Sequence, residues 1–145
     1  MRVVLQRVTA AAVRVDGDVV GRIDRGLFAL VGVGRTSTED DARWLADKTA
    51  CLRVFGDDEG RMNLSVRDIG GAVLAVSQFT LYGDPRKGRR PSFVAAAEPA
   101  QARHLYGVYC AALPVAVERG VFGAQMQISA EADGPVTILL EREGS

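Results

Sequence analysis

The pattern of apolar and polar positions predicts a chain that begins as strands joined by tight turns. Val3–Val8 and Ala11–Val15 are rich in β-branched residues and partly alternate, which is typical of half-buried strands. Val19–Ile23 follows the turn signal at 16–18 and is predicted as the return strand of a hairpin. The nearly continuous apolar run Leu27–Val33 predicts a strand that is buried on both faces.

The period then changes to that of a helix. Thr38 precedes three acidic residues, so it supplies a capping hydroxyl while the carboxylates face the positive end of the helix dipole. Small and apolar residues recur on one face, which predicts an amphipathic helix over Thr38–Leu52. A second helix is predicted from Pro99 to a stop at Pro114. Its expected buried face consists of Ala102, Leu105, Tyr106, Tyr109 and Leu113.

The remaining segments are predicted as strands and one long loop. The strands are expected at Arg53–Phe55, Ala72–Phe79, Val115–Glu118, Ala124–Ile128 and Val136–Glu141. Residues 80–97 form the loop, and a loop of this length is usually functional or disordered. No linker or internal repeat interrupts the pattern. We therefore predict one α+β domain over residues 1–145, with a mostly β core, barrel-like or two-sheet, covered by two helices.

Composition excludes several familiar chemistries. The chain has 145 residues, with 18 Lys and Arg, 18 Asp and Glu, one His and two Cys. The balanced charge argues against binding nucleic acid or membranes through bulk charge. One His and two Cys cannot supply the usual all-Cys/His zinc sites, so no metal or cofactor is expected. Without a signal peptide or an apolar run near the ~20 residues of a membrane span, the expected compartment is the cytoplasm, with Cys51 and Cys110 reduced and buried.

Common catalytic motifs are also missing. The chain has no GxSxG nucleophile elbow, no GxxxxGK[ST] phosphate loop and no HExxH. Gly32–Gly34 follows a strand but lacks the third glycine of a dinucleotide loop, so we interpret it as a plain turn. His104 is predicted on the solvated face of the second helix, and no nucleophile or orienting partner stands near it in sequence.

One polar cluster stands where a buried strand emerges into the long loop. Ser77, Gln78 and Thr80 are placed to line a pocket beside the core. Backbone N–H groups that leave the sheet at this point could stabilise an oxyanion. The alternative interpretation is a set of turn hydroxyls that only begin a loop.

Two further segments carry candidate chemistry. The run Arg86–Arg90 places four cations in five residues, which suits either phosphate contacts or a solvated surface loop. The pair Gly134–Pro135 is ordinarily a turn signal. It is also a place where a cis peptide can occur and fix the direction of neighbouring carbonyls.

Six motifs in a fixed order identify a family resemblance. MRVVLQRV, MNLSV, VSQFTLYGD, KGRRPSF, GVFGAQM and DGPVT occur between Met1 and about Leu140. Together they resemble the D-aminoacyl-tRNA deacylase family, also called the D-Tyr-tRNA deacylase type. The resemblance implies the fold of that family. It also implies a homodimer that hydrolyses the ester between a D-amino acid and the 3′-terminal ribose of tRNA. Such a protein would also remove glycine from mischarged tRNA and reject L-aminoacyl-tRNA.

The resemblance assigns the strand-end cluster to catalysis. Ser77, Gln78, Phe79 and Thr80 would line the pocket for the aminoacyl end of the tRNA. In one account the Thr80 hydroxyl is the nucleophile. In another account the 2′-hydroxyl of the RNA does most of the work, and main-chain amides near Phe79 and Thr80 position and polarise the ester.

The resemblance also assigns roles to the other motifs. Gly134 and Pro135 would form a cis peptide that enters the pocket of the partner subunit. Its carbonyls would receive the amino group of a D-residue or glycine and leave no room for an L side chain. Arg7 would support this loop, together with Val136 and Thr137. The phosphates of the tRNA acceptor end would be bound by Arg86, Lys87, Arg89 and Arg90.

One position departs from the family pattern. The family usually has Asn two residues before the Gly-Pro pair, and this chain has Ala132. This chain therefore lacks the side-chain amide that would brace the loop, whereas Gly134, Pro135, Val136 and Thr137 are all present. Two alternatives stay open: a non-catalytic tRNA-binding module on the same fold, or a hydrolase of small D-aminoacyl esters.

Overall fold

The structure, a computed structural model, describes residues 1–143 and confirms the α+β class. Two α-helices and a short 3₁₀ helix accompany the strands. The elements in chain order are β1 (Arg2–Val15), β2 (Asp18–Ile23), β3 (Gly26–Gly32), α1 (Glu39–Cys51), β4 (Phe55–Gly56), β5 (Met62–Leu64), β6 (Ala72–Ser77), the 3₁₀ helix (Phe79–Tyr82), α2 (Pro99–Ala112), β7 (Ala116–Arg119) and β8 (Gln127–Glu141).

Six strands form one strongly curved sheet. Its order is β2–β1–β3–β6–β7, and β8 pairs with β1 along the opposite edge. The neighbours β3, β6 and β7 run parallel, whereas β1 is antiparallel to β2, β3 and β8. The sheet curls until β2 contacts β7, and the backbone N–H of Arg22 lies 3.4 Å from Glu118 Oε1. The result is a nearly closed barrel.

The two faces of the sheet are buried in two separate clusters. Leu27, Ala29 and Val31 of β3 face the helices, whereas Phe28 between them faces the barrel interior. Because both faces are covered, β3 is an unbroken apolar run rather than an alternating one, as predicted. The strand therefore lies at the centre of the molecule, and it pairs with β6, which carries the candidate site at its end.

The helix signals read from the sequence are confirmed. The Thr38 hydroxyl accepts a hydrogen bond from the Asp41 backbone N–H, and the Asp41 carboxylate accepts one from the Thr38 N–H. This reciprocal capping box satisfies two donors at the start of α1. In α2 the buried Tyr109 hydroxyl lies 2.9 Å from Thr49 Oγ1, and this contact joins the two helices.

Two predicted pairs of strands are each one continuous strand. Val3–Val8 and Ala11–Val15 merge into β1, while β8 runs through the region predicted as a break between its two halves. The cause is the long antiparallel pairing of β1 with β8, in which irregularities around Val8 absorb the break in the alternating pattern. A local sequence pattern cannot show that two segments more than 100 residues apart pair with each other.

Smaller corrections concern short or exposed segments. The strand predicted from Arg53 begins only at Phe55, and β5 was not predicted because three mostly exposed residues show no burial period. The strand predicted to Phe79 ends at Ser77, and the following loop begins as a 3₁₀ helix. The expectation that both cysteines are buried is wrong for Cys51, which is exposed near the end of α1.

Candidate functional site

The cluster at the end of β6 is held by the neighbouring strand. The Gln78 N–H donates to the Val31 carbonyl at 2.8 Å, which continues the ladder one residue past the strand. The chain then turns into the 3₁₀ helix, and Phe79 and Thr80 become exposed. Within residues 1–143, the backbone N–H groups of Phe79 and Thr80 have no hydrogen-bond acceptor. Two adjacent amides at an exposed strand end can therefore donate hydrogen bonds to the carbonyl oxygen of a bound ester.

The Thr80 hydroxyl has a neighbour but no base. Gln78 Nε2 donates a hydrogen bond to Thr80 Oγ1. No imidazole or carboxylate of the described chain forms a hydrogen bond with this hydroxyl. His104 lies elsewhere, with Nε2 2.6 Å from Glu39 Oε1 on the solvated surface where α1 and α2 meet, as its pattern predicted. A hydroxyl without an adjacent base is a weak nucleophile.

An exposed aromatic pair lies beside these amides. Phe79 is 55% exposed, and its ring meets the ring of Phe93 edge to face with centroids 5.1 Å apart. Two backbone hydrogen bonds between Asp84 and Ser92, of 2.7 and 2.9 Å, close the loop and place Phe93 beside Phe79. Sequence reasoning did not single out Phe93 as a site residue. The available signal was an aromatic residue that directly follows a basic Gly/Pro loop.

The basic run Arg86–Arg90 lies at the tip of the loop that the two Asp84–Ser92 hydrogen bonds close. Arg86 is not free, because its Nε and Nη2 donate to the two carboxylate oxygens of Asp84 at 2.9 and 2.7 Å. The Arg86 side chain, aided by the Arg86 backbone N–H, lowers the pKa of Asp84 to about 2. Lys87, Arg89 and Arg90 are exposed and form no ion pair with any residue of the described chain. Three of the four predicted cations are thus available to a partner.

The Gly134–Pro135 peptide is cis, and it lies within β8. Arg7 contacts this segment, since its Nε lies 3.1 Å from the Asp133 carbonyl oxygen and 3.2 Å from Asp133 Oδ2. Arg7 Nη1 also donates to the Val54 carbonyl at 2.7 Å, which fixes the guanidinium from the other side.

Of the other predicted members of this loop, Thr137 pairs with Gln6 in the β1–β8 ladder, whereas Val136 lies in the irregular stretch between Ala132 and Thr137. Thr137 Oγ1 lies 3.4 Å from Gln6 Nε2, and Val136 is half-buried. Ala132 pairs with Val8 and is exposed. The contacts of Asp133 therefore support the loop at the place where the family's usual Asn is missing.

One chain does not bring the two halves of the predicted site together. Arg2, which donates to the Leu81 carbonyl, marks the part of β1 beside Thr80, and Arg7 marks the part beside Gly134. The two arginines are five positions apart along the strand, which corresponds to about 17 Å. Within the described residues, no three or more His, Cys, Asp or Glu side chains cluster in a way that could hold a metal.

The fold is a nearly closed barrel with two covering helices, and the candidate site consists of backbone amides, hydroxyls and a basic loop. The sequence profile of the D-Tyr-tRNA(Tyr) deacylase family matches residues 4–141. The chain therefore belongs to this family, and the resemblance seen in its motifs is confirmed.

Similar proteins agree over the full length. A D-aminoacyl-tRNA deacylase of Thermus aquaticus is 57% identical over 144 residues, which cover 97% of this chain and 95% of the relative. One of Desulfitobacterium hafniense is 56% identical over 146 residues, with coverage of 99% and 98%. A solved structure named c-Myc DNA Unwinding Element Binding Protein superimposes with a TM-score of 0.93 at 38% identity, and covers 99% of this chain and 100% of that one.

Proposed function

We propose that the backbone amides of Phe79 and Thr80 form the catalytic centre of this chain. The protein is a hydrolase of D-aminoacyl-tRNA, as its membership of the family implies, and it releases a free D-amino acid and tRNA. The observation that carries the proposed centre is the pair of adjacent amides that have no acceptor within residues 1–143. They lie beside an exposed aromatic pair and three cations that form no ion pair in that range.

The two amides suit the charge that develops during ester hydrolysis. Water adds to the ester carbonyl carbon, the carbonyl oxygen gains negative charge, and the amide N–H groups donate to it. The carbon–oxygen bond to the ribose then breaks, and the ribose oxygen takes up the proton that the water loses. Because no base in the described part of the chain contacts the Thr80 hydroxyl, we assign proton handling to the 2′-hydroxyl of the RNA rather than to this hydroxyl.

Chiral selection is assigned to a second subunit. Gly134 and Pro135 lie about 17 Å along the strand from the Thr80 site, so they would reach the pocket of a partner rather than their own. Their carbonyls would receive the amino group of a D-residue or glycine and exclude an L side chain. Glycine removal from tRNA follows from the same readout, since glycine has no side chain to exclude.

The homodimer that this requires has a candidate surface. Among the described strands, β8 pairs with β1 alone, so the other edge of this long strand has no partner. Leu139, directly opposite Val4 in the ladder, is 63% exposed. An unpaired edge with exposed apolar residues is a ready surface for another chain.

The tRNA body is assigned to the loop tip. Lys87, Arg89 and Arg90 would contact phosphates, and Arg86 would hold the loop through Asp84. No helix of the described residues is long and apolar enough to cross a membrane. Since aminoacyl-tRNA is made and used in the cytoplasm, the proposal also places the protein there.

The amide centre is tested by two substitutions at one position. Phe79→Ala removes the ring and keeps the N–H, whereas Phe79→Pro removes both. Proline suits this first helical position, and the non-helical backbone of Gln78 before it is compatible with a following proline. We expect kcat on D-Tyr-tRNA to be about 100- to 1,000-fold lower for Phe79→Pro than for Phe79→Ala. Equal rates for the two variants would remove the amide from catalysis.

Substrate comparison separates the alternative functions. The protein is incubated with D-Tyr-tRNA, L-Tyr-tRNA and free D-Tyr methyl ester, and we expect turnover of the first alone. Binding of tRNA without any turnover would indicate a non-catalytic module. Equal turnover of the methyl ester would indicate an enzyme of small D-aminoacyl esters.

A further inference from the structure

The 3₁₀ helix that carries Phe79 and Thr80 is short and weakly bonded within itself. It spans four residues, and its flanking backbone bonds are Leu81 N–H to the Gln78 carbonyl at 3.3 Å and Gly83 N–H to the Thr80 carbonyl at 2.9 Å. Hydrogen-bond geometry in such helices is poorer than in α-helices. The direction of its amides therefore depends on what holds the helix from outside.

One side of the helix rests on the end of β3. A Cβ atom placed on Gly32 would lie 2.9 Å from Leu81 Cβ, and one on Gly34 would lie 2.7 Å from the Tyr82 ring. The helix thus contacts bare backbone, which fixes its height above the sheet. This contact leaves its rotation and its sliding along the sheet to be fixed by other groups.

The other side is held by the first residue of β1. Arg2 Nη1 donates to the Leu81 carbonyl at 2.8 Å, and its guanidinium lies 4.4 Å from the centre of the Tyr82 ring. Two consecutive residues of the helix are therefore bound by one planar group, one through a hydrogen bond and the other through a cation–π contact.

Arg2 is itself fixed by the end of the chain. Its Nε lies 3.6 Å from Glu141 Oε1 and 3.7 Å from Glu143 Oε1. The Tyr82 hydroxyl donates to Glu143 Oε1 at 2.6 Å. Burial, followed by the Glu143 carboxylate, raises the pKa of Tyr82, so this hydroxyl stays protonated and keeps donating. Arg2, Tyr82 and Glu143 form a closed set of contacts around the back of the helix.

From this arrangement we infer that Arg2 is a positioning residue for the reaction, which orients the 3₁₀ helix so that the Phe79 and Thr80 amides point at the ester. The inference rests on the proposed role of these amides. Arg2 touches neither substrate nor reacting atoms, and it acts through the Leu81 carbonyl and the Tyr82 ring. Because catalysis is sensitive to displacements of about 1 Å, loss of this support lowers the rate of the chemical step more than the binding of tRNA.

The chain offers a matched control in Arg142. The side chains of Arg2 and Arg142 are 33% and 32% exposed, and both combine an ion pair with a ring contact. Arg142 pairs with the buried Asp41 and packs on Trp44, away from the 3₁₀ helix. Removal of either guanidinium perturbs the fold, but only removal of Arg2 releases the helix.

The experiment compares Arg2→Met, Arg2→Lys and Arg142→Met with the unmodified protein on D-Tyr-tRNA. For Arg2→Met we expect kcat to fall about 10- to 100-fold, with KM within about twofold. Arg2→Lys keeps one donor for the Leu81 carbonyl but lacks the planar fork, so we expect partial rescue. Arg142→Met is expected to keep kcat within about twofold, whatever its melting temperature.

A second measurement covers variants that fold poorly. Hydrogen exchange of the bonded Leu81 and Gly83 backbone amides, followed by NMR, is expected to accelerate in the Arg2 variants and not in Arg142→Met. Unchanged kcat in Arg2→Met, or an equal loss in Arg142→Met, would overturn the inference. If Phe79→Pro and Phe79→Ala are equally active, the proposed amide centre itself fails. If they differ while Arg2→Met is fully active, only the positioning role fails.

Discussion

The basic loop at residues 86–90 permits a quantitative prediction of how tRNA binding depends on salt. Of its four cations, Arg86 is neutralised by Asp84, which leaves Lys87, Arg89 and Arg90 to contact phosphate. Each phosphate neutralised contributes a slope of about 0.7 for single-stranded and 0.9 for duplex nucleic acid in a plot of log affinity against log salt. Three contacts therefore contribute a slope of about 2.1 to 2.7.

The perturbation is the triple variant Lys87→Gln, Arg89→Gln, Arg90→Gln. The affinity for uncharged tRNA is measured by fluorescence anisotropy between about 50 and about 200 mM salt. Over this fourfold range, the unmodified protein is expected to lose about 20 to 40 times more affinity than the variant. The two proteins are compared by their slopes of log affinity against log salt because absolute affinities also depend on every other contact.

The control removes three exposed cations elsewhere, through Lys48→Gln, Arg53→Gln and Arg67→Gln. Both triple variants change the balanced charge of the chain by the same amount. The control is expected to keep the slope of the unmodified protein, since these side chains lie outside the loop. An unchanged slope in the loop variant would show that the loop does not touch phosphate. Equal reductions in both variants would show a response to bulk charge only.

Three further predictions concern single contacts. The pKa of Asp84 is lowered from 3.8 to about 2 in the folded protein. Its ion pair with Arg86 therefore stabilises the fold fully at pH values above 3.8, and this stabilisation is lost as the pH falls through about 2. An NMR titration of Arg86→Gln is expected to return that pKa toward 3.8, and a value still near 2 would contradict the assignment. Tyr109→Phe removes a buried hydroxyl contact with Thr49, and urea unfolding is expected to show a loss of about 1 kcal/mol rather than none. Ala132→Asn is expected to leave the ratio of D- to L-Tyr-tRNA turnover unchanged, because the loop is already held through the next residue; an increased ratio would show that the missing amide matters.

The helices and the central strand could be predicted because their signals are local. Thr38 with its following carboxylates and Pro99 with its apolar face mark the helix starts, and β3 is an unbroken apolar run. Capping, dipole and burial patterns involve residues within a few positions of one another, so they can be recognised in the sequence without knowledge of the fold. The motifs of the proposed site are short runs of neighbouring residues, so they can be recognised in the sequence, and the roles assigned to them stay predictions.

The tertiary structure alone decided how these pieces meet. Arg7 reaches Asp133 across 126 positions, and Arg2 reaches Leu81 across 79. The merging of two predicted strands into β1, the pairing of Arg86 with Asp84 and the edge-to-face contact of Phe79 with Phe93 likewise depend on the folded chain. Hydrophobic burial is non-directional and selects which segments are inside, whereas partners distant in sequence are set by the register of β1 against β3 and β8. For that reason the sequence determined the helices, the central strand and the motifs, whereas the register determined which part of β1 lies beside each motif.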